Sequence, residues 1–254
     1  MLKAATKTDF EPICRFCKGS VYGTYIICRA MAYGFERSFA PVYLCKSDSG
    51  ELTGVVSVLE NNAVVAAGEE CNFEELSFFL ASSAFSSVLT DELTAKKCGF
   101  ESYESKAVLR FDCGNSNGKA DSFADLKEVY NLFASCFPKA FAVDKNSYLS
   151  WLSDFTFRKN RRLSRLKAVH CGKTVCAAAV TGAECDDSAV ISCVACRPEF
   201  RGKGYGRAVT LSLADELKAE GKTVFLISLD ERTTSFYLKL GFTHCGKAAY
   251  IERS

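Results

Sequence analysis

Apolar residues fall along this chain in two interleaved patterns: short alternating or continuous runs, and longer stretches with apolar positions three and four apart. The first pattern predicts strands and the second amphipathic helices. In the second half, Leu166–Cys171, Thr174–Thr181, Ala189–Cys196 and Thr223–Ser228 predict strands, with further strands at the end of the chain. Helices are predicted at Phe123–Cys136, Ser147–Arg158, about Gly206–Glu220 and Arg232–Leu240. In the third of these, Val209, Leu213 and Leu217 at i, i+4 and i+8 share one face. The first half repeats a similar order. Helices are predicted at Asp9–Lys18 and Gly23–Tyr33, strands at Val42–Lys46, Leu52–Leu59 and Ala63–Ala67, and a helix at Asn72–Ser83. A short strand at Ser86–Leu89, a helix at Asp91–Lys97 and a strand at Ala107–Phe111 complete it. Lys97-Cys98-Gly99-Phe100 echoes Lys239-Leu240-Gly241-Phe242, so an internal duplication is expected. The polar, glycine-containing stretch Cys113–Lys119 reads as the linker, dividing the chain into domains 1–115 and 121–254.

The segment Arg201-Gly202-Lys203-Gly204-Tyr205-Gly206-Arg207 stands between a predicted strand, closed by Pro198, and a predicted helix. Alternating glycines let the backbone turn tightly, and the free N–H groups and dipole of a helix start favour an anion. A phosphate or pyrophosphate is the expected guest. A P-loop needs Lys then Ser or Thr after its last glycine, whereas Gly206 is followed by Arg207-Ala208. The dinucleotide fingerprint of doubly wound folds needs its outer glycines five positions apart, which Gly202, Gly204 and Gly206 do not supply.

The spacing of Arg201, Gly204 and Gly206 resembles the acyl-CoA pyrophosphate loop of the GNAT superfamily of N-acyltransferases: Arg or Gln, two residues, Gly, one residue, Gly or Ala. Val194-Ala195-Cys196 and Pro198 keep the family's register upstream. Downstream, Ser235 to Phe242 is similar to the family's second signature, a tyrosine followed four residues later by Gly-Phe. The resemblance covers Phe123–Ser254, about half the chain. It implies an α/β (α+β) fold of two GNAT-like domains, each a mixed, mostly antiparallel central sheet flanked by helices. In the C-terminal domain the sheet would be splayed between its fourth and fifth strands. It further implies acetyl-CoA as cosubstrate, pantetheine against the backbone of Val194, Ala195 and Cys196, and pyrophosphate on Arg201, Gly202, Lys203, Gly204, Tyr205, Gly206 and Arg207. A primary amine of a small molecule or peptide would attack the thioester directly. The Cys196 backbone N–H would stabilise the oxyanion, and Tyr237 would act as the acid that protonates the departing thiolate. Packing alone is the other reading of Tyr237. Asp230 stands where the family commonly has an asparagine that touches the cofactor; an acid keeps the acceptor and loses the amide donor. Glu184, Asp186 and Asp187, in the turn before the Ala189–Cys196 strand, are candidate bases beside a solvated-turn reading, and water-mediated deprotonation stays open.

Charge sharpens this picture. Residues 1–120 hold 12 Lys/Arg against 15 Asp/Glu, a net of −3, and residues 121–254 hold 20 against 15, a net of +5. A basic half suits a polyanionic ligand. Where the second half has its glycine loop, the first has Gly68-Glu69-Glu70-Cys71-Asn72, whose carboxylates repel a pyrophosphate. The first half is therefore expected to be a degenerate domain without a cofactor.

The remaining composition excludes more than it adds. With 254 residues, 48% of them hydrophobic, the chain can bury sizeable cores. No apolar run approaches the roughly 18–20 residues of a membrane helix, and the first residues lack a secretory apolar region, so a cytoplasmic protein is expected. The 14 cysteines then read as reduced, small buried hydrophobes. Cys14-x-x-Cys17 has no second pair nearby, and Cys193 and Cys196 lie at an odd offset on one strand, so no metal site is expected. His170 and His244 are expected to be structural. The basic run Arg158–Arg165 reads as a solvated helix-to-strand connection without aromatics for nucleic acid. Neither nucleic acid nor membrane is an expected partner, and a monomer or homodimer is. The sequence leaves open a non-catalytic acyl-CoA-binding or scaffold protein. Aminoacyl transfer from charged tRNA by a tandem enzyme of peptidoglycan synthesis fits less well, because such proteins are typically longer and lack this loop.

Overall fold

The computed structural model describes residues 2–113 and 119–253; positions 114–118 of the expected linker lie outside the described residues. The chain forms β1 (Lys3–Ala4), α1 (Phe10–Cys17), α2 (Val21–Tyr33), β2 (Val42–Lys46), β3 (Leu52–Leu59), β4 (Asn62–Ala67), α3 (Phe73–Ser82), β5 (Ser87–Asp91), α4 (Glu92–Lys97) and β6 (Glu104–Phe111). The second half follows with α5 (Leu126–Cys136), α6 (Lys145–Asn160), β7 (Leu166–Cys171), β8 (Thr174–Glu184), β9 (Ser188–Cys196), α7 (Tyr205–Ala219), β10 (Thr223–Ile227), α8 (Glu231–Leu238) and β11 (Phe242–Glu252). Side-chain oxygens of Ser20, Asn72, Asp91, Asp125 and Asp144 accept first-turn N–H groups of α2 to α6, which is why these helices begin where they do.

Two compact units result. Unit 1 comprises Met1–Leu109, Ile227–Thr234 and His244–Ser254; unit 2 comprises Arg110–Leu226 and Ser235–Thr243. These units differ from a division at 115 and 121, because β11 belongs to the first of them. Its residues Ala248–Glu252 pair antiparallel with Asp91–Ser87 of β5, and Ala248, Ala249 and Ile251 are buried there.

In unit 1 the strand order is β1-β2-β3-β4-β5-β11-β6, antiparallel but for the β4–β5 pair. Its core joins Val56, Val58, Val65 and Val88 of the sheet to Leu76 and Leu80 of α3. In unit 2 the order is β10-β9-β8-β7, with β9–β10 parallel and the rest antiparallel. The run Val175–Val180 in β8 is wholly buried, so this strand carries helices on both faces and reads as continuous apolar sequence. α5 lies over β8 and β9, as does α7, which also reaches β7. Val209, Leu213 and Leu217, the stripe read from the sequence, are fully buried; each contributes about 1.5–3 kcal/mol of transfer free energy to holding α7 in place. That fixes the start of α7 beside the end of β9.

Candidate active site

The last β9–β10 pair is Ile191 with Leu226, yet β9 runs on to Cys196. From Ser192 onward it is held from one side only, by β8, with Ala195 opposite Ala178 and Cys196 opposite Ala177. The Arg197 N–H donates to the Cys176 carbonyl at 2.9 Å, so Cys196 and Ala177 form a non-hydrogen-bonded pair. The N–H and C=O of Cys196 therefore point away from β8, toward the side β10 has left. Strand alternation gives Val194 the same orientation. The opening has a local cause. Between the pairs Ala178/Ala195 and Val180/Ser192, Cys193 and Val194 together oppose Ala179, and Cys193 takes φ 50°. Such a bulge bends its strand and re-aims the groups beside it.

After a short 3-10 turn, Pro198–Phe200, the chain reaches the glycine loop. Gly202 (φ 78°) and Gly204 (φ 84°) occupy the left-handed region, with open space where a side chain would begin. Gly204 caps α7 without a side chain. The backbone N–H groups of Gly202, Lys203, Gly204, Tyr205 and Gly206 find no acceptor among the described residues, as the first turn of a helix dictates. Cations surround them. Arg201, Lys203 and Arg207 are exposed, Arg201 Nε donates to the Cys196 carbonyl at 3.2 Å, and Lys203 Nζ lies 5.1 Å above the Phe200 ring. The Tyr205 hydroxyl accepts a hydrogen bond from the Cys171 thiol at 3.3 Å. Gly206 allows Phe236 to approach, its ring 3.7 Å from where a Cβ would stand.

Tyr237 is half-buried in the last turn of α8, its ring 5.7 Å from Phe242 and 5.1 Å from Phe236. Burial drives its phenol well above the ordinary range, and Cys193 is close enough for a charge there to raise it further. The phenol stays protonated at neutral pH, and its hydroxyl makes no hydrogen bond among the described residues. Both packing and proton donation are thus open to it. Burial pushes the Cys193 thiol up to about 11 and also raises Cys196, so neither strand cysteine is a thiolate nucleophile at pH 7.

The acidic residues have other employment. Asp230 Oδ1 accepts the Thr233 N–H at 2.7 Å, Thr233 Oγ1 accepts the Asp230 N–H at 3.1 Å, and the carboxylate is held below its usual range chiefly by that first bond. It is the cap of α8. Glu184 is 1% exposed and bound by Arg165, with Lys222 Nζ at 3.4 Å; Arg165 also binds Glu216 and Glu220, each at 2.7 Å. Asp187 accepts from Ser188 and from the Cys185 thiol. Glu184, Asp186 and Asp187 lie at or beyond the Glu184–Ala189 pair, at the far end of the β8–β9 hairpin from Cys196. At about 3.3 Å per residue this is on the order of 20 Å from the opened segment. None of these three lies beside that segment. His170 pairs with Asp121 at 3.2 Å. In the basic run, Arg158 is tied to Asp154 and Gly182, and Lys159 and Arg161 lie over Phe123 and Phe157.

Unit 1 answers each of these features differently. Its β4–β5 pairing ends at Val64 with Leu89 although β4 runs to Ala67. There the Thr90 hydroxyl donates to the Val65 carbonyl at 3.2 Å and occupies the free edge. At the start of α3, the Gly68 N–H donates to Thr53, the Cys71 N–H to Gly68, and the Glu75 N–H to Asn72 Oδ1. With Glu69, Glu70 and Glu74 around it, that helix start offers an anion a repulsive field.

The bulge at Cys193 and the Thr90 closure have no signature in one sequence. Among the described residues no helix is long and apolar enough to cross a membrane. The model of the FR47-like protein family matches residues 172–251. No curated protein sequence matches the chain significantly. Solved structures do. A GCN5-related N-acetyltransferase from Sphaerobacter thermophilus superposes with TM-score 0.67 at 15% identity, covering 98% of this chain and 94% of its own. An acetyltransferase of the GNAT family from Colwellia psychrerythraea gives TM-score 0.62 at 12% identity, with 100% of both chains covered. A tandem GNAT protein from the clavulanic acid biosynthesis pathway gives 0.62 at 10%, covering 98% and 97%.

Proposed function

We propose that this chain, whose fold is the tandem GNAT fold, is an acyl-CoA-dependent N-acyltransferase. It would transfer an acyl group, acetyl first, to the primary amine of a small molecule or peptide, through unit 2 alone. One observation carries this reading: the unpaired edge of β9 at Val194 and Cys196 runs straight into a cationic loop whose N–H groups have no acceptor among the described residues.

The residues present suit such a cosubstrate. A pantetheine arm is a chain of amides that pairs with an open strand edge, which Val194 and Cys196 supply. A pyrophosphate needs convergent donors and positive charge, which Gly202 to Gly206, Arg201 and Lys203 supply. When bound, acyl-CoA brings an activated acyl group as a thioester. The Cys196 N–H would donate to the acyl oxygen as charge develops there, a role worth about 3–4 kcal/mol for one donor. Tyr237 would give its proton to the departing thiolate sulfur, and its raised pKa keeps that proton available at physiological pH. With the hairpin carboxylates far along β9 from the thioester, water would take the amine proton.

The test is release of free thiol from acetyl-CoA with a broad amine panel, wild type against Tyr237→Phe. Because the opened edge and the glycine loop would serve binding as well as turnover, a second reading is an acyl-CoA-binding protein without turnover. Binding of acetyl-CoA with no thiol release across the panel would establish that reading in place of the first.

A further inference from the structure

Unit 1 carries a pair of thiols that its lost cofactor loop does not explain. Cys45 of β2 pairs directly across from Gly54 of β3, and Gly54 in turn from Ala67 of β4. Cys71 arrives over the same spot from the turn before α3. A side chain at Gly54 would begin 3.1 Å from the Cys71 sulfur and 3.3 Å from the Cys45 sulfur. The missing side chain is what lets the two sulfurs share one small space in the core. They are 4% and 6% exposed, so the space is shielded from large reagents.

The two sulfurs are chemically unequal. Each acts most strongly on the other, an interaction that holds Cys45 protonated and draws Cys71 toward the thiolate. The charge of Lys97 acts on Cys71 in the same direction, while burial and the charge of Glu75 oppose it. Cys71 also immediately precedes Asn72, the N-cap of the ten-residue α3, whose dipole favours a thiolate against the opposing charges of the glutamates around it. One sulfur is thus set up as nucleophile and the other as its resolving partner.

We infer that Cys45 and Cys71 form an oxidation site for a small peroxide, closing to a reversible disulfide that ties β2 to the start of α3. In the first step the Cys71 thiolate attacks one oxygen of hydrogen peroxide. The S–O bond forms, the O–O bond breaks, and the released hydroxide takes up the proton that Cys71 had lost, giving water and a sulfenic acid. Cys45 then attacks that sulfur: the S–S bond forms, the S–O bond breaks, and the hydroxyl leaves as a second water with the Cys45 proton. Two thiols are oxidised by two electrons and one peroxide is reduced to two waters. The site is independent of the acyltransfer reading, since it uses no residue of unit 2.

The experiment is limited oxidation of the folded wild-type chain with hydrogen peroxide, alkylation of remaining thiols after unfolding, and non-reduced tryptic mass spectrometry. The expected product is Ser38–Lys46 joined to Ser47–Lys96, 2 mass units below the sum of the reduced peptides and lost on adding dithiothreitol. The oxidised protein should unfold on the order of 5–10 °C higher. In Cys71→Ser, Cys45 should be recovered alkylated. Recovery of both wild-type cysteines alkylated while exposed Cys113 is oxidised, or linkage of Cys71 to Cys98 instead, overturns the inference.

Discussion

Replacing Gly204 by Glu tests the anion cradle at its narrowest point. The residue has φ 84° and ψ 0° and caps α7, with open space around it. Any L-residue there costs about 1–2 kcal/mol of backbone strain but meets no steric clash. The fold should survive with its midpoint lowered by roughly 2–8 °C. Binding has a second cost. A carboxylate introduced about 4–5 Å from a pyrophosphate oxygen, in an effective dielectric between 20 and 80, repels each unit charge by about 1–4 kcal/mol. Taking roughly 2–3 kcal/mol overall, acetyl-CoA affinity should fall about 30- to 150-fold. Gly204→Ala carries the strain without the charge, and should weaken binding less than about fivefold if the cradle tolerates a methyl group. Isothermal titration of all three proteins, with thermal unfolding in parallel, separates these contributions. If Gly204→Glu binds acetyl-CoA within threefold of wild type while folded, the loop does not hold the pyrophosphate and the assignment of the site collapses.

Other outcomes follow from the same geometry. Titration of wild type should give one acetyl-CoA per chain, because Thr90 and the acidic α3 start close unit 1; two equivalent sites would contradict this. Tyr237→Phe should lower kcat about 10²- to 10⁴-fold with KM for acetyl-CoA within about twofold, since only the proton donor is removed. A proportionate loss in both, or none, would leave Tyr237 a packing residue. Arg165→Leu strands the buried Glu184 carboxylate with Lys222 as its remaining partner, and should cost about 3–5 kcal/mol in denaturant unfolding. Ion pairs with Lys167 and Arg165 hold Glu216 below its usual range against its own desolvation, and pairing with Arg165 does the same for Glu220. A lowered folded pKa means stability present above the unfolded carboxylate pKa, near 4.3, and lost as pH falls below it. The drop in unfolding free energy between pH 5 and 3 should therefore be shallower in Arg165→Leu than in wild type.

Most of the elements were legible in the sequence because each is specified locally. Leu166–Cys171, Val42–Lys46 and Leu52–Leu59 end where turn residues interrupt an apolar run, and the Val209, Leu213, Leu217 stripe admits only one face. What escaped is what depends on partners far away in sequence. β11 looks like the end of the second half, yet its alanines and Ile251 complete a ladder against β5, so the units interleave where a linear division was expected. Glu184 looks like a carboxylate in a polar turn, but it is buried beside Arg165 and Lys222, about 20 Å along the hairpin from Cys196.

The contrast between the two units shows why one strand opening becomes a site and the other stays shut. Both have a parallel pair that ends before its longer strand does, at Ile191 with Leu226 and at Val64 with Leu89. An opened pair leaves backbone groups without partners, and burying such groups costs about 1–3 kcal/mol each unless something else satisfies them. In unit 1 a threonine hydroxyl at Thr90 does so from within the chain. In unit 2, β9 instead bulges at Cys193 beyond its last pair with β10. The edge at Val194 and Cys196 has no strand partner beyond β8, and a ligand rich in amides would pair there under the proposed function. The same logic governs the helix starts. Asn72 turns its side chain back on its own helix, whereas Gly204 has no side chain with which to do so, and the donors of α7 are left facing outward. Restoring a cap at position 204, by Gly204→Asn, should therefore raise stability relative to Gly204→Ala, since Asn tolerates the left-handed region and can accept a first-turn N–H. It should at the same time weaken acetyl-CoA binding by about tenfold in titration, because a side-chain oxygen then competes for the donors the pyrophosphate needs. If Gly204→Asn binds as tightly as wild type, donors at the α7 start are not what holds the anion, and Arg201 and Lys203 must carry the attraction alone.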